Sequence, residues 1–203
     1  MKIVCIGRNY LEHARELNNP VPAEPVVFMK PDSALLLKNK PFFLPDFSKE
    51  IHHEVELVYR INRVGKHIED KFAHRYYNEI SLGIDFTARD LQSKCKKEGK
   101  PWEISKGFDG SAVLADFIKL ETLSDPAAIP FRLDINGTTV QEGNTAHMIF
   151  SIDRIISYVS QFVTFKIGDL IYTGTPSGVG PVKINDRLEG FIGDRKMFSF
   201  LVK

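Results

Sequence analysis

The sequence predicts an α+β, β-rich fold, short strands with flanking helices, on the strength of three observations. Short apolar runs rich in Val, Ile, Leu and Phe recur along the chain, bounded by Pro, Gly and Asn-Gly, the punctuation of strands and turns. Only a few segments show helical periodicity, and they do not alternate with strands in the rhythm of a parallel βαβ protein. The 203 residues, 43% hydrophobic and 26% charged, suffice for one substantial core. Residues 1–203 are expected to form one domain, with residues 1 to about 45 as a semi-separate N-terminal portion, and no repeat, low-complexity tract or linker interrupts them.

Taken in order, residues 2–6 read as a strand ending at Gly7. "NYLEHARELNN", residues 9–19, has helical composition and is stopped by "PVPAEP". "VVFMK" (26–30) and "ALLLK" (34–38) are strand-like runs joined by a Pro-Asp-Ser turn, and Pro-punctuated chain then leads to a strand over about 54–61. From Asp70 a helical segment leads into a short strand ending near Asp85. "TARDLQSKCKKEG" opens at Thr87 with a capping-box pattern and closes at Gly99, a C-terminal cap. "RLDINGTTVQ" is two alternating runs joined by Asn136-Gly137, a hairpin signal. "SIDRIISYVSQF" places Ile152, Ile155, Ile156 and Val159 on one helical face behind a Ser151 cap, and the glycine-rich remainder reads as further strands.

A formal net charge of +1 and the lack of a basic stripe with interleaved aromatics give no support for a nucleic-acid partner. "KCKKEGK", residues 94–100, reads as a solvated helix end. The two cysteines, Cys5 and Cys95, form no disulfide framework or CxxC site, which fits a reducing compartment. "MKIVCIGRNY" resembles neither a secretory nor an organellar leader, and no apolar run approaches the ~20 residues that span a bilayer. The expectation is a cytosolic protein without a membrane partner.

The chemistry centres on "HHEVELVY", residues 52–59. Strand alternation sets Glu54 and Glu56 on one face with His52, and His53, Val55 and Leu57 on the other. Neighbouring carboxylates repel and are costly to bury. Two readings stand: an edge strand with one solvated face, or hard-oxygen ligands for Mg²⁺ or Mn²⁺. Asp85, ending a glycine-containing apolar run, is a turn residue or a third ligand. Arg89 and Gln92, three apart on the next helix, share a face that is either solvated or suited to a substrate carboxylate. His13 and Glu16 have the same spacing. A carboxylate on one imidazole nitrogen raises the basicity of the other, as a general base requires, but the spacing is also common in surface pairs. Lys106 reads from its neighbours as an ordinary surface lysine. "TGTPSGVG", residues 173–180, lacks Walker order and reads as a tight turn exposing N–H groups and the Thr173 and Thr175 hydroxyls, a possible anion cradle.

In order, "GRNYLEHARE", "EPVVFMKP", "HHEVELV", "GIDFTARDLQ", "GKPWEISKGFDGS", "EGNTAHMIFSIDRIISYVS" and "GDLIYTGTPSGVGPV" resemble the fumarylacetoacetate hydrolase family. The resemblance covers nearly the whole chain and is closest to the short, single-domain branch of acylpyruvases and oxaloacetate decarboxylases. It implies Mg²⁺ or Mn²⁺ on Glu54, Glu56 and Asp85, a catalytic dyad of His13 and Glu16 on a short lid helix, catalytic and substrate-contacting Lys106, and substrate contacts from Arg89, Gln92 and Thr175. It also implies a mixed β-sandwich roll and a homodimer. The implied activity is metal-dependent C–C hydrolysis of acylpyruvates such as fumarylpyruvate to pyruvate and a carboxylic acid, or decarboxylation of oxaloacetate. The alternatives are isomerisation, decarboxylation or hydration of 2-oxo-dienoate intermediates and, in another class, a non-catalytic dicarboxylate-binding module. Two departures bear on the substrate: "SAVLADF" stands where many relatives have a Gly-Pro pair, and His147 stands where small or polar residues are common, so that a pocket wall is expected to differ.

Overall fold

The computed structural model describes residues 1–16, 20–37 and 40–203. Its largest sheet has eight strands. The order is Val26–Lys30, Ile3–Gly7, Leu170–Tyr172, Val55–Ile61, Tyr77–Asp85, Ala112–Leu114 and Leu35–Leu37, with Ile118–Lys119 paired to Tyr77–Asp85 off this path. Ile3–Gly7 runs parallel to Leu170–Tyr172 and Leu35–Leu37 parallel to Ala112–Leu114, while the other pairings are antiparallel. The sheet is therefore mixed, and residues 1–45 contribute strands to its middle and its edges.

A four-stranded antiparallel sheet orders Thr138–Asn144, Pro130–Ile135, Arg187–Ile192 and Arg195–Leu201, and a small third sheet joins Gly180–Pro181, Ile51–His53 and Thr87–Ala88. The main core includes Leu57, Leu82 and Ile84 of the large sheet with Phe131, Leu133, Leu188 and Phe198 of the four-stranded one, all buried. Phe42 stacks on Phe86 with centroids 3.9 Å apart, and Phe86 meets Phe200 edge-on at 6.4 Å. The β-rich fold with flanking helices read from the residues, and the mixed β-sandwich roll implied by the resemblance, are what the chain forms.

The hairpin turn has positive φ at both central residues, 52° at Asn136 and 81° at Gly137, the primed geometry that matches strand twist. The helix Ile152–Val159 buries Ile152, Ile155, Ile156 and Val159, and Ser151 Oγ accepts the Arg154 N–H at 3.2 Å. The helix predicted over 9–19 is Leu11–Glu16, and residues 17–19 lie outside the described residues. The run over 34–38 becomes a 3₁₀ turn, Asp32–Ala34, followed by Leu35–Leu37, with residue 38 outside the described residues.

Two expectations are corrected. The strand ending at Asp85 is not short: Tyr77–Asp85 has nine residues. Thr87 does not cap the following helix, which begins at Arg89 after Ala88. Thr87 lies in the small sheet, and its hydroxyl donates to Asp85 O at 3.2 Å. The small sheet outcompeted the local capping pattern. At the other end the reading holds, because Gly99 takes φ 64° and its N–H meets Cys95 O and Lys96 O. No helix among the described residues is long and apolar enough to cross a membrane.

Alternation in two central strands sets up the functional face. Val55, Leu57, Tyr59 and Ile61 point into the main core, as do Ile80, Leu82 and Ile84 of the neighbouring strand. The opposite face receives Glu56 and Val58 from the first strand, and Ser81, Gly83 and Asp85 from the second. Glu56 pairs with Gly83, and the Asp85 N–H donates to Glu54 O at 2.8 Å, which brings three carboxylates to one end of the strand pair.

Candidate active site

Glu54, Glu56 and Asp85 are all buried, and a carboxylate oxygen from each lies within 4.8 Å of the others. The solvated-edge reading of the Glu pair therefore fails: both glutamates are interior. Two ways of compensating these charges are visible. Arg89 Nη2 pairs with Glu54 Oε1 at 2.5 Å, and Lys106 Nζ bridges Glu54 Oε2 and Asp85 Oδ2 at 2.7 Å each. Lys30 Nζ reaches Asp85 Oδ1 at 2.7 Å and Ser111 Oγ at 3.0 Å, and also contacts the Lys106 carbonyl. Among the described residues no basic side chain pairs with Glu56, which receives the Gly174 N–H at 2.8 Å.

The electrostatics follow this arrangement. Burial and the repulsion of Asp85 and Glu54 push the Glu56 pKa well above its ordinary value. Burial acts the same way on Glu54, but Lys106 and Arg89 outweigh it and hold that carboxyl below the usual range. Burial alone would lower Lys106, yet Asp85 and Glu54 overcome it and raise the ammonium. A divalent cation fits this donor set: three hard carboxylate oxygens converge, and one of them lacks a cationic partner.

Lys106, read locally as a surface lysine, is instead buried at the end of the short helix Glu103–Lys106, where its ammonium faces two carboxylates. Arg89 and Gln92 do share a helix face, with Arg89 Nη1 donating to Gln92 Oε1 at 2.6 Å. Arg89 is held from behind by His52, whose Nδ1 accepts Arg89 Nε–H at 3.4 Å. His13 and Glu16 lie on Leu11–Glu16 with Nδ1 and Oε2 3.2 Å apart, and Glu16 Oε1 accepts the Gly178 N–H at 3.0 Å. The carboxylate fixes the proton on Nδ1 and leaves Nε2 as a free base. Burial lowers the His13 pKa more than Glu54 and Glu16 raise it, so the ring is a neutral imidazole at pH 7.

His13, Glu54, Glu56, Asp85, Arg89, Gln92, Lys106 and Thr175 all line one cavity. Glu16 lies behind His13 and not on that lining. The "TGTPSGVG" cradle exists in a different form from the one expected. Thr173 and Thr175 are buried, and their hydroxyls donate to Leu57 O at 3.0 Å and Val55 O at 2.8 Å. The anion served by this turn is the protein's own Glu56, bound by Gly174 at φ 97°. His147 lines a separate hollow with Leu11, Glu12 and Glu142, not the carboxylate cavity.

Sequence reasoning missed Lys30, Arg8, Lys96 and Trp102, the last three on the cavity lining. It also missed Gln141, whose Oε1 meets His53 Nδ1 at 2.9 Å and Val55 N–H at 3.0 Å while its Nε2 donates to Thr175 Oγ1 at 2.8 Å. A lysine ending the otherwise apolar run "VVFMK" was the available signal for Lys30.

The chain matches the family described as fumarylacetoacetate (FAA) hydrolase C-terminal over residues 2–199. It is 44% identical over 201 residues to "Oxaloacetate tautomerase FAHD1, mitochondrial" of Mus musculus, covering 99% of this chain and 91% of that protein. It is 44% identical over 183 residues to "Oxaloacetate decarboxylase, mitochondrial" of Dictyostelium discoideum, covering 90% and 84%. Among solved structures, fumarylpyruvate hydrolase from Pseudomonas aeruginosa in complex with Mn²⁺ and pyruvate superposes with a TM-score of 0.94 at 33% identity, covering 100% of this chain and 89% of that one. The names of the two relatives place those proteins in mitochondria, so they lend no support to the cytosolic expectation for this chain. On the family match, the extent of these identities and the shared fold, this chain belongs to the fumarylacetoacetate hydrolase family.

Proposed function

We propose that this protein is an Mg²⁺- or Mn²⁺-dependent enzyme that forms and protonates the enolate of a short 2-oxo acid, with oxaloacetate as its first substrate. The observation that carries this reading is the convergence of three buried carboxylates on one cavity, with His13, backed by Glu16, on the lining of the same cavity. Oxaloacetate is favoured by the relatives named oxaloacetate tautomerase and oxaloacetate decarboxylase, each 44% identical. A second reading, hydrolysis of acylpyruvates, is favoured by the likeness to a fumarylpyruvate hydrolase in complex with pyruvate.

Mg²⁺ or Mn²⁺ held by Glu54, Glu56 and Asp85 would supply the electrophile that stabilises enolate charge. The remaining N–H groups of Arg89 and the amide of Gln92 orient the substrate carboxylate. Lys106, kept protonated by Asp85 and Glu54, offers a fixed positive charge where the enolate oxygen develops. His13 Nε2 takes a proton from C3 of oxaloacetate and delivers it to the oxygen on C2, which gives the enol, and the reverse transfer restores the keto form. Loss of CO₂ from the same substrate gives the enolate of pyruvate, and His13 Nε2, once it has taken a proton from water, passes that proton to C3. With an acylpyruvate, His13 takes a proton from water as the oxygen attacks the distal carbonyl, the C–C bond breaks, and pyruvate leaves as its enolate. Thr175 shapes the wall, its hydroxyl proton being committed to Val55 O. A binding module would have no use for a base oriented in this way.

The test is turnover of oxaloacetate and acetylpyruvate with each metal, before and after chelation. Metal-dependent turnover supports the proposal; no turnover, or turnover indifferent to chelation, refutes it. The assembly proposed with it is a homodimer, and a light-scattering mass of a single chain would refute that part.

A further inference from the structure

Glu56 is held by a loop where its neighbours are held by cations. Gly174 N–H donates to its Oε2 at 2.8 Å, so the position of that carboxylate depends on where residues 173–178 sit. On one side the loop grips the carboxylate strand. Thr173 Oγ1 donates to Leu57 O at 3.0 Å and Thr175 Oγ1 to Val55 O at 2.8 Å. On the other side it rests on Thr138–Asn144 of the four-stranded sheet. The approach is so close there that a Cβ on Gly178, at φ 95°, would lie 2.3 Å from Val140 O.

Gln141 joins these two sides. The pairing of its strand shifts beside it, from Leu133↔Gln141 to Asp134↔Thr139, which leaves Val140 without a partner in the ladder. Such a bulge re-aims the side chains next to it. The Gln141 side chain is buried, and its amide uses all four of its hydrogen-bonding positions. Oε1 accepts from Val55 N–H at 3.0 Å and from His53 Nδ1 at 2.9 Å, while Nε2 donates to Thr175 Oγ1 at 2.8 Å and Pro176 O at 3.0 Å. Val55 stands between Glu54 and Glu56, and Thr175 follows Gly174. One planar group therefore ties the backbone beside Glu56 to the loop that donates to Glu56.

We infer that Gln141 is a positioning residue of the proposed metal centre, setting Glu56 through Val55 on one side and the Gly174 loop on the other. Gln141 is not on the cavity lining, so it acts only through these neighbours. The inference rests on the metal reading above and adds a determinant that lies outside the cavity. Groups that hold a metal ligand from behind typically change metal affinity by about 10–100-fold when they are removed.

The experiment measures Mn²⁺ binding by calorimetry and electron paramagnetic resonance, with thermal unfolding of the metal-free proteins as a check on folding. Gln141→Met, similar in shape but without the amide, should bind Mn²⁺ at least ~10-fold more weakly and change the line shape of the bound ion. Gln141→Asn keeps the amide one carbon too short to span both sides. It should lose affinity as well, and it decides the matter if Gln141→Met does not fold. Thr138→Ala, at an exposed position of the same strand, should leave the affinity unchanged. The discriminating arm adds Glu56→Gln to each Gln141 variant. If Gln141 acts by placing Glu56, its substitution should cost at most ~3-fold more once that carboxylate is gone, whereas a merely structural role would leave the two losses additive. Unchanged affinity in a folded Gln141 variant, or additive losses, overturns the inference and leaves the metal centre standing. A wild type that binds no Mn²⁺ refutes the metal centre itself, and this inference with it.

Discussion

The floor and the mouth of the cavity are built on different principles. At the floor, Glu56 and Asp85 stand on two long antiparallel strands whose other faces are packed in the main core, and Glu54 immediately precedes the first of them. Two of them pair with Arg89, Lys106 and Lys30 at 2.5–2.7 Å, and Glu56 takes a backbone N–H. At the mouth, Arg8 follows a strand end and Lys96 stands on an exposed helix turn, and neither has an acidic partner among the described residues. The contrast is between a long strand pair on which two of three buried carboxylates have cationic partners and a turn and helix face on which cations stand without acidic ones among the described residues.

The strongest way to break the floor is to remove a cation that supports it from behind without itself lining the cavity. Lys30→Met strips Asp85 of one buried partner, and truncating one side of such a pair costs about 3–5 kcal/mol, read as a lower urea midpoint. The double variant Lys30→Met/Asp85→Asn should lose less than the sum of the single losses, since the unpaired charge has gone.

His13→Ala should lower acylpyruvate hydrolysis by at least ~10²-fold, measured as kcat. Undiminished hydrolysis would remove His13 from the proton transfer. The pH profile offers a second check. Since burial lowers the folded His13 pKa, its neutral form persists below pH 6.5, and the acid limb of activity should lie below that value and vanish in the variant. The same sign applies to stability: with the folded pKa depressed, the His13 contribution is present above the unfolded value and is lost as pH falls towards the folded one.

Gly174→Ala should have the smallest effect. Its Cβ would lie 2.7 Å from Asn9 Cβ at φ 97°, a strain of more than ~1 kcal/mol that also disturbs the N–H on Glu56. Thermal unfolding measures this, and an unchanged midpoint would contradict it.

Much of this architecture was legible in the residues. Period-two alternation set Glu54 and Glu56 on the face opposite Leu57, and Asn136-Gly137 marked the hairpin, because both signals are local in origin. The spacing of Arg89 and Gln92 likewise revealed a shared face. What escaped was long-range. Lys30 is 55 residues from Asp85, and no local pattern shows that two strands will place its ammonium there. Thr87 met every local condition for a cap, but pairing with His52 drew it into a strand. The Thr173 and Thr175 hydroxyls seemed available in the sequence, yet the carbonyls of the carboxylate strand claimed both. In each case a backbone or charge partner distant in sequence decided the outcome.

Manganese titration of the wild type and of Glu56→Gln, followed by electron paramagnetic resonance and calorimetry, addresses the proposed metal centre most directly. One Mn²⁺ should bind per chain in the wild type, with affinity reduced at least ~10²-fold in the variant and 2-oxo-acid turnover reduced alongside it. Equal binding by both proteins, or no stoichiometric site in the wild type, would contradict a cation held by Glu54, Glu56 and Asp85.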